Sequence, residues 1–359
     1  MKKHQTSEAF MWLGDELFAF HPIIGRSLTP GLHKLNHQEW GDYTISVNRL
    51  GFRANHDFLP AKKPRTSRIL LFGDSNAFGD GVNYEISFAG VLEKLLPRVE
   101  IYNFALPGFA SDQQYLCYKS IASQYEHDLI LIVPTIETIR KLTARFILVQ
   151  DKQQQQRCLE KPFFDVQQGR LVQGHVPTSE NFIDIETLSE EDKARIYRAT
   201  PFADVRRLLD NTRPVKQPRR RSHFVDRIVF LLKKWGIRDT ITKVRPYPEY
   251  DTPNTPAWKI MRSILLEWAA NSTTPMMLTP LPSYIYVKER ADARNYQMRF
   301  HEVKKSIACA LYDPLPDLLK LSMEERRELY YLEGHLTPQG HAWLAKRTVP
   351  HIKLLLKQK

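Results

Sequence analysis

Short apolar runs alternate with segments of helical spacing in the first half of the chain. The apolar runs are ILLFG (69–73), VEIYNFA (99–105) and DLILIVP (128–134). Continuous apolar runs of this length are typical of strands that are buried on both faces of a parallel sheet. Helical spacing follows the first two runs, in YEISFAGVLEKLLP (84–97) and SDQQYLCYKSIASQY (111–125). This alternation predicts a parallel sheet with helices on both faces.

The same alternation resumes near the C-terminus. The predicted elements there are a helix at about 257–270, a strand at 275–281, a long helix at about 287–308 followed by CALYDPL (309–315), and a last helix from Thr337-Pro338 onward. Pro338 suits the first helical turn, where the missing N–H costs little.

Two regions lack this regularity. Residues 1–60 are interpreted as an irregular N-terminal segment packed on the core, and residues 61–359 as the α/β domain. Within that domain, about 150–255 contains a glutamine run, scattered prolines and a basic stretch, and is interpreted as an insertion. The predicted fold class is therefore α/β, a three-layer α/β/α sandwich with a parallel sheet and a large insertion.

Composition excludes several classes of protein. With 42% hydrophobic and 11% aromatic residues, the chain can bury a core and is not disordered. Its three cysteines are far apart, which argues against a disulfide framework and fits a reducing compartment. The N-terminus is a poor signal peptide, and no run reaches the ~20 apolar residues of a membrane span. A cytoplasmic protein is expected, with peripheral membrane binding as an open alternative; no metal or organic cofactor is implied.

The formal net charge of +12 favours anionic partners or a solvated basic surface. Much of this charge lies in RPVKQPRRR (213–221) and HFVDRIVFLLKKWG (223–236). The first stretch is interpreted as a solvated loop and the second as an amphipathic helix that packs on the core. Contact of 213–236 with an anionic surface is the alternative. Zinc-ligand spacing and other nucleic-acid recognition motifs are absent from the sequence.

Candidate chemistry begins where the first apolar run ends, in LFGDSNAFGDGV (71–82). A tight turn between strand and helix places Ser75 at the carboxyl end of the sheet, where open α/β sheets bind ligands. A serine hydroxyl needs a neighbouring base to become a nucleophile. LEGHLTPQGH (332–341) supplies His335 and, two residues earlier, Glu333 to orient it. The backbone amides of Ser75 and Gly108 are candidate oxyanion donors, since glycine lets the backbone approach a substrate.

These stretches resemble the conserved blocks of the SGNH (GDSL-type) hydrolases. GDSNAFGDGV is similar to the first block, NFALPGFASDQ (103–113) to the second and EGHLTPQGH (333–341) to the last. VNRLGFR (47–53) resembles a segment that precedes the first block in a bacterial subgroup often linked to surface polysaccharide metabolism. The resemblance covers about 47–140 and 255–350. It implies Ser75 as nucleophile, His335 as base and acid, and Gly108 as oxyanion donor.

The chain departs from that family at two places. The third block normally offers an asparagine to the oxyanion, but in VPTIETIRK (133–141) Ile136 or Glu137 stands there. Isoleucine cannot donate, and a carboxylate would repel the oxyanion. Glu333 replaces the usual aspartate and carries one extra methylene, although the triad acid in serine hydrolases is either residue.

The expected function is therefore that of a serine esterase, a hydrolase that removes an acyl group, such as O-acetyl, from a carbohydrate through Ser75, His335 and Glu333. Two alternatives stay open. In a carbohydrate O-acyltransferase, a sugar hydroxyl would replace water. In a non-catalytic binding protein of the same fold, the missing asparagine would be explained by a lack of catalysis.

Overall fold

A computed structural model describes residues 11–12, 17–37, 39–150, 156–199 and 244–357. Its strands are β1 (Met11–Trp12), β2 (Phe18–His21), β3 (Gly25–Leu28), β4 (Gly31–His37), β5 (Gly41–Val47), β6 (Ser67–Gly73), β7 (Val99–Asn103), β8 (Leu129–Val133), β9 (Phe146–Gln150), β10 (Gln156–Glu160), β11 (Phe163–Gln167), β12 (Arg170–Gly174), β13 (Met276–Leu278) and β14 (Cys309–Leu311). Its α-helices are α1 (Ser75–Phe78), α2 (Phe88–Leu95), α3 (Ser111–Ser120), α4 (Glu190–Ala199), α5 (Pro256–Ala270), α6 (Tyr284–Val287), α7 (Arg294–Ser306), α8 (Leu315–Leu318), α9 (Met323–Glu328) and α10 (Pro338–Lys357).

The centre of the molecule is a five-stranded sheet in the order β14-β13-β8-β6-β7, with every neighbouring pair parallel. All five residues of β8 are buried, as are six of the seven residues of β6. Helices α2 and α10 pack on each other, and α3 packs on α5. The predicted α/β class, with a parallel sheet between helical layers, is confirmed.

The strand order places a ligand-binding crevice between β6 and β8. From β6 the chain moves to β7 on one side and then returns to β8 on the other side. In open α/β sheets, ligands bind outside the carboxyl ends of the two strands where the direction of winding reverses. The residues that follow Gly73 and Val133 therefore border the crevice.

The predicted helix at 287–308 is wrong at its start. Short α6 ends at Val287 and α7 begins at Arg294. Asp292 accepts a hydrogen bond from the backbone N–H of Arg294 at 3.1 Å and also pairs with the Arg294 side chain. This local interaction favours a turn over a continuous helix, because short polar side chains compete with the backbone for its hydrogen bonds.

The interpretation of residues 1–60 as irregular is wrong for its described part. Strands β2 and β3 form one antiparallel hairpin, and β4 and β5 form another. Ile45 and Val47 of β5 are buried while the residues of β4 are at least partly exposed. The second hairpin therefore covers the core mainly through β5, while β4 contributes the partly buried Leu35.

The insertion contributes regular structure of its own. Strands β9 and β10 pair with each other, β11 pairs with β12, and α4 follows. The basic stretch and amphipathic helix predicted at 213–236 lie outside the described residues. The division into 1–60 and 61–359 stays a prediction. None of the helices in the described ranges combines the length and the apolar character that crossing a bilayer requires.

Candidate active site

Ser75 occupies the turn between β6 and α1, at the carboxyl edge of the sheet. Asp74 caps α1: one carboxylate oxygen accepts from the Asn76 N–H at 3.1 Å, and the other accepts from the Thr135 N–H at 3.0 Å, beyond β8. A Cβ on Gly73 would overlap Ala77 and the Val133 carbonyl. Position 73 therefore has no room for a side chain. Asp74 links the residues that follow β6 to those that follow β8.

The structure brings together the three residues that the sequence singles out. Ser75 Oγ lies 2.7 Å from His335 Nε2, and His335 Nδ1 lies 3.0 Å from Glu333 Oε1. The Leu336 N–H donates to Asn76 Oδ1 at 3.0 Å, which ties the histidine loop to the serine turn. With the proton on Nδ1, His335 donates to Glu333 and accepts from the serine hydroxyl. This is the arrangement of nucleophile, base and orienting acid that acyl transfer uses.

Glu333 is held as a carboxylate. Burial acts to raise its pKa, but the hydrogen bond and charge of His335 keep the pKa below its ordinary value. The neighbouring Glu39 carboxyl has a raised pKa, first because of burial and then because of its contact with Glu333. Glu39 also accepts from the Leu332 N–H at 2.5 Å. Of the two carboxyls, Glu39 is therefore the more readily protonated.

Trp40 is a site residue that the sequence does not indicate. Its indole Nε1–H donates to Glu333 Oε1 at 3.0 Å, and its ring meets the His335 ring edge-on, with centroids 5.3 Å apart. On its other side Trp40 stacks on His37. Trp40, in the turn between β4 and β5, therefore helps to orient Glu333, although the two residues are 293 positions apart in the chain.

Gly108 lies in the cavity that contains Ser75 and His335. Its φ of +75° is in the left-handed region that favours glycine, and a Cβ would lie 2.6 Å from Arg26 Nη2. The structure therefore explains the glycine by conformation and by space. The oxyanion role of its N–H stays a prediction.

The structure distinguishes Ile136 from Glu137, the two residues that could stand at the position of the third-block asparagine. Ile136 is fully buried in the core, and its backbone N–H donates to the Leu281 carbonyl. Glu137 lines the cavity and accepts a hydrogen bond from the Tyr247 hydroxyl at 3.3 Å. The residue on the cavity side is therefore the carboxylate.

The cavity has a volume of about 900 Å³. Its wall includes six Phe, Trp and Tyr side chains: Phe18, Trp40, Tyr43, Phe146, Tyr247 and Tyr284. It also includes cations, among them Arg26, Lys141 and Lys288. Such a space exceeds what an acetyl group needs, so room remains for the alcohol part of an ester.

His341, the second histidine of the last block, is separate from the relay. It is fully buried in α10, and burial, followed by the charges of Arg53 and His335, lowers its pKa to about 3. It is therefore neutral at physiological pH and takes no part in the hydrogen bonds that join Ser75, His335 and Glu333.

Comparison with known proteins gives fold-level likeness alone. No family model matches the chain, and no curated protein is significantly similar to it in sequence. Similar solved structures include a lipase/acylhydrolase from Enterococcus faecalis, at 12% identity and TM-score 0.36 over 80% of this chain and 96% of that one. An acetyl xylan esterase, AlAXEase, has 11% identity and TM-score 0.37 over 79% and 99%. A member of the lipolytic protein G-D-S-L family from Veillonella parvula DSM 2008 has 11% identity and TM-score 0.37 over 79% of this chain and 97% of that one. These values are too low to transfer an activity.

Proposed function

We propose that the protein is a serine esterase that removes an acyl group, such as O-acetyl, from a carbohydrate. The observation that carries the proposal is the continuous hydrogen-bonded relay from Ser75 Oγ through His335 to Glu333. A serine at the carboxyl edge of a sheet gains nucleophilicity when a base lies within about 3 Å and a third group fixes that base.

In the proposed reaction, His335 Nε2 takes the hydroxyl proton as Ser75 Oγ attacks the ester carbonyl. The oxygen of that carbonyl becomes an oxyanion and is stabilised by the backbone N–H groups of Ser75 and Gly108. Collapse of the intermediate breaks the ester bond, and the His335 proton goes to the leaving alkoxide. Water then attacks the acyl-serine with His335 as base, which releases the carboxylic acid and restores Ser75. Glu333 stabilises the His335 imidazolium both when Ser75 is acylated and when the acyl-serine is hydrolysed.

The size and lining of the cavity support a carbohydrate on the alcohol side. Aromatic faces and polar groups together provide the apolar contact and hydrogen bonding that orient a polyhydroxylated ligand. The resemblance to SGNH hydrolases of polysaccharide metabolism points the same way. The proposed partner is therefore an acylated carbohydrate.

The test is covalent labelling with a fluorophosphonate, which reacts with activated serines. Wild type is expected to label, and Ser75→Ala and His335→Ala are expected to lose the label. Ser283→Ala is the matched control, because Ser283 lines the same cavity and should leave labelling unchanged. A folded wild type that does not label would refute the esterase and favour the non-catalytic alternative. If the wild type labels, and unlabelled wild type given an acetyl ester transfers the acetyl group to an added sugar faster than it releases acetate, the acyltransferase is favoured.

A further inference from the structure

Two cations flank Gly108, the proposed oxyanion donor. The Arg26 guanidinium donates to the Pro107 carbonyl, and Lys141 Nζ donates to the Gly108 carbonyl at 3.2 Å. A Cβ built on Gly108 would lie 2.6 Å from Arg26 Nη2 and 3.6 Å from Lys141 Nζ. Both positive charges are therefore adjacent to the backbone at this residue.

The Arg26 contact is with the peptide group that carries the donor. The Pro107 carbonyl and the Gly108 N–H belong to one peptide unit, so a cation on the oxygen withdraws electron density from the nitrogen. Hydrogen bonds that act in series on one peptide group strengthen each other in this way. The Gly108 N–H thus becomes a stronger donor toward the cavity.

Arg26 is a buried cation beside this peptide group. It is 7% exposed, and burial lowers its pKa to about 9, which leaves it a cation at neutral pH. Its guanidinium lies 5.7 Å from the centre of the Phe18 ring and 5.4 Å from that of Phe109. These aromatic faces contribute to the stabilisation of the buried charge.

We infer that Arg26 and Lys141 are positioning residues that polarise the peptide groups on either side of Gly108, so that positive charge compensates for the missing side-chain donor of the third block. The inference rests on the proposed function. The compensation is electrostatic: the charges are fixed before the reaction. Arg26 acts through the Gly108 amide, which shares a peptide group with the Pro107 carbonyl, and Lys141 acts as a positive charge beside Gly108. They also oppose the repulsion from Glu137, which lines the same cavity.

The kinetic test uses 4-methylumbelliferyl acetate with Lys141→Gln, Lys141→Arg and Lys141→Met. Glutamine keeps a hydrogen-bond donor without the charge, and arginine keeps both. We expect Lys141→Gln and Lys141→Met to lower kcat about ten- to hundredfold with KM unchanged, while Lys141→Arg stays close to wild type. If the lysine merely tethers the loop, glutamine will retain wild-type kcat, and the inference fails.

Lys288→Gln is the matched control. Lys288 lines the same cavity, but its ammonium lies over the Tyr284 ring. We expect its kcat to exceed that of Lys141→Gln at least about tenfold. Equal losses in both variants would assign the effect to the general charge of the cavity and overturn the inference.

A second measurement does not depend on turnover. With ¹⁵N-glycine labelling, the Gly108 amide proton is expected to move upfield in Arg26→Met and to stay near its wild-type shift in Arg26→Lys. Thermal melting of both variants shows that they are folded, and Arg26→Gln replaces Arg26→Met where the latter does not fold. A Gly108 resonance that does not move when the Arg26 charge is removed refutes the polarisation even if the wild type hydrolyses no ester. A moving resonance without esterase activity would refute only the proposed function.

Discussion

Replacing His341 with leucine is expected to make the protein more resistant to acid. His341 is fully buried, and neither ring nitrogen has a hydrogen-bond partner among the described residues. A buried polar group without partners carries its desolvation cost uncompensated, whereas leucine fills a similar volume without that cost. At pH 7 we therefore expect the free energy of unfolding of His341→Leu to lie within about 1 kcal/mol of wild type or above it.

The acid dependence follows from the shifted pKa. In the folded protein the pKa of His341 is about 3, against an ordinary value of 6.5. Between these values the unfolded chain binds a proton at this residue and the folded chain does not, so stability falls as pH decreases. Each pH unit corresponds to about 1.4 kcal/mol, which gives about 2 kcal/mol lost by pH 5 and a limit of about 5 kcal/mol near pH 3.

Urea unfolding at pH 7, 6, 5 and 4 measures this difference. The stability of His341→Leu relative to wild type should increase as the pH falls from 6.5. His351→Leu is the control, because His351 lies in the same helix, half-buried and stacked on Tyr312. If wild type and His341→Leu lose stability in parallel from pH 7 to 4, the assigned burial of a neutral histidine is wrong.

Three further predictions concern the site. Trp40→Phe keeps an aromatic ring but removes the donor to Glu333, so kcat should fall about tenfold or more, the cost of a hydrogen bond to a charged group; unchanged kcat in steady-state assays would contradict this. Ile136→Asn buries an amide in the core and should lower the melting temperature by several degrees, measured by scanning calorimetry, without raising activity; a stable, faster variant would contradict it. Glu137→Gln should raise kcat in the same ester assay by removing a carboxylate from the cavity, and a decrease would contradict that reasoning.

The sheet and the relay could be predicted because their signals are local. Buried parallel strands are continuous apolar runs, which is why the runs at 69–73 and 128–134 mark β6 and β8. Ser75 and His335 lie in two short stretches of sequence. A nucleophilic serine needs a base, and a histidine followed by a helix is a candidate for that base. Their spatial proximity follows once both stretches are placed at the carboxyl edge of the sheet.

The N-terminal contribution could be predicted only in part. Strand β5 alternates, with buried Tyr43, Ile45 and Val47 between polar residues, which is the period-2 signal of a half-buried strand. Its partner β4 has no apolar stripe: its residues are exposed or half-exposed, and polar side chains lie on both faces. Trp40 contacts Glu333 only through tertiary structure, and the two are 293 positions apart. The separation of α6 from α7 coincides with a local contact from the Arg294 N–H to the Asp292 carboxylate, which has no signal in the hydrophobic pattern.

The same segment nevertheless supplies three side chains on which the site depends. Trp40 orients the acid, Arg26 binds the Pro107 carbonyl, and Arg53 donates to the carbonyls of Phe78, Gly79 and Val82 behind the serine turn. Arg53 is fully buried, so these carbonyls at the end of α1 would lack partners without it. The VNRLGFR stretch therefore has a physical role: its last residue fixes the far side of the turn that presents Ser75. An N-terminal segment with such contacts therefore belongs to the candidate site as well as to the core.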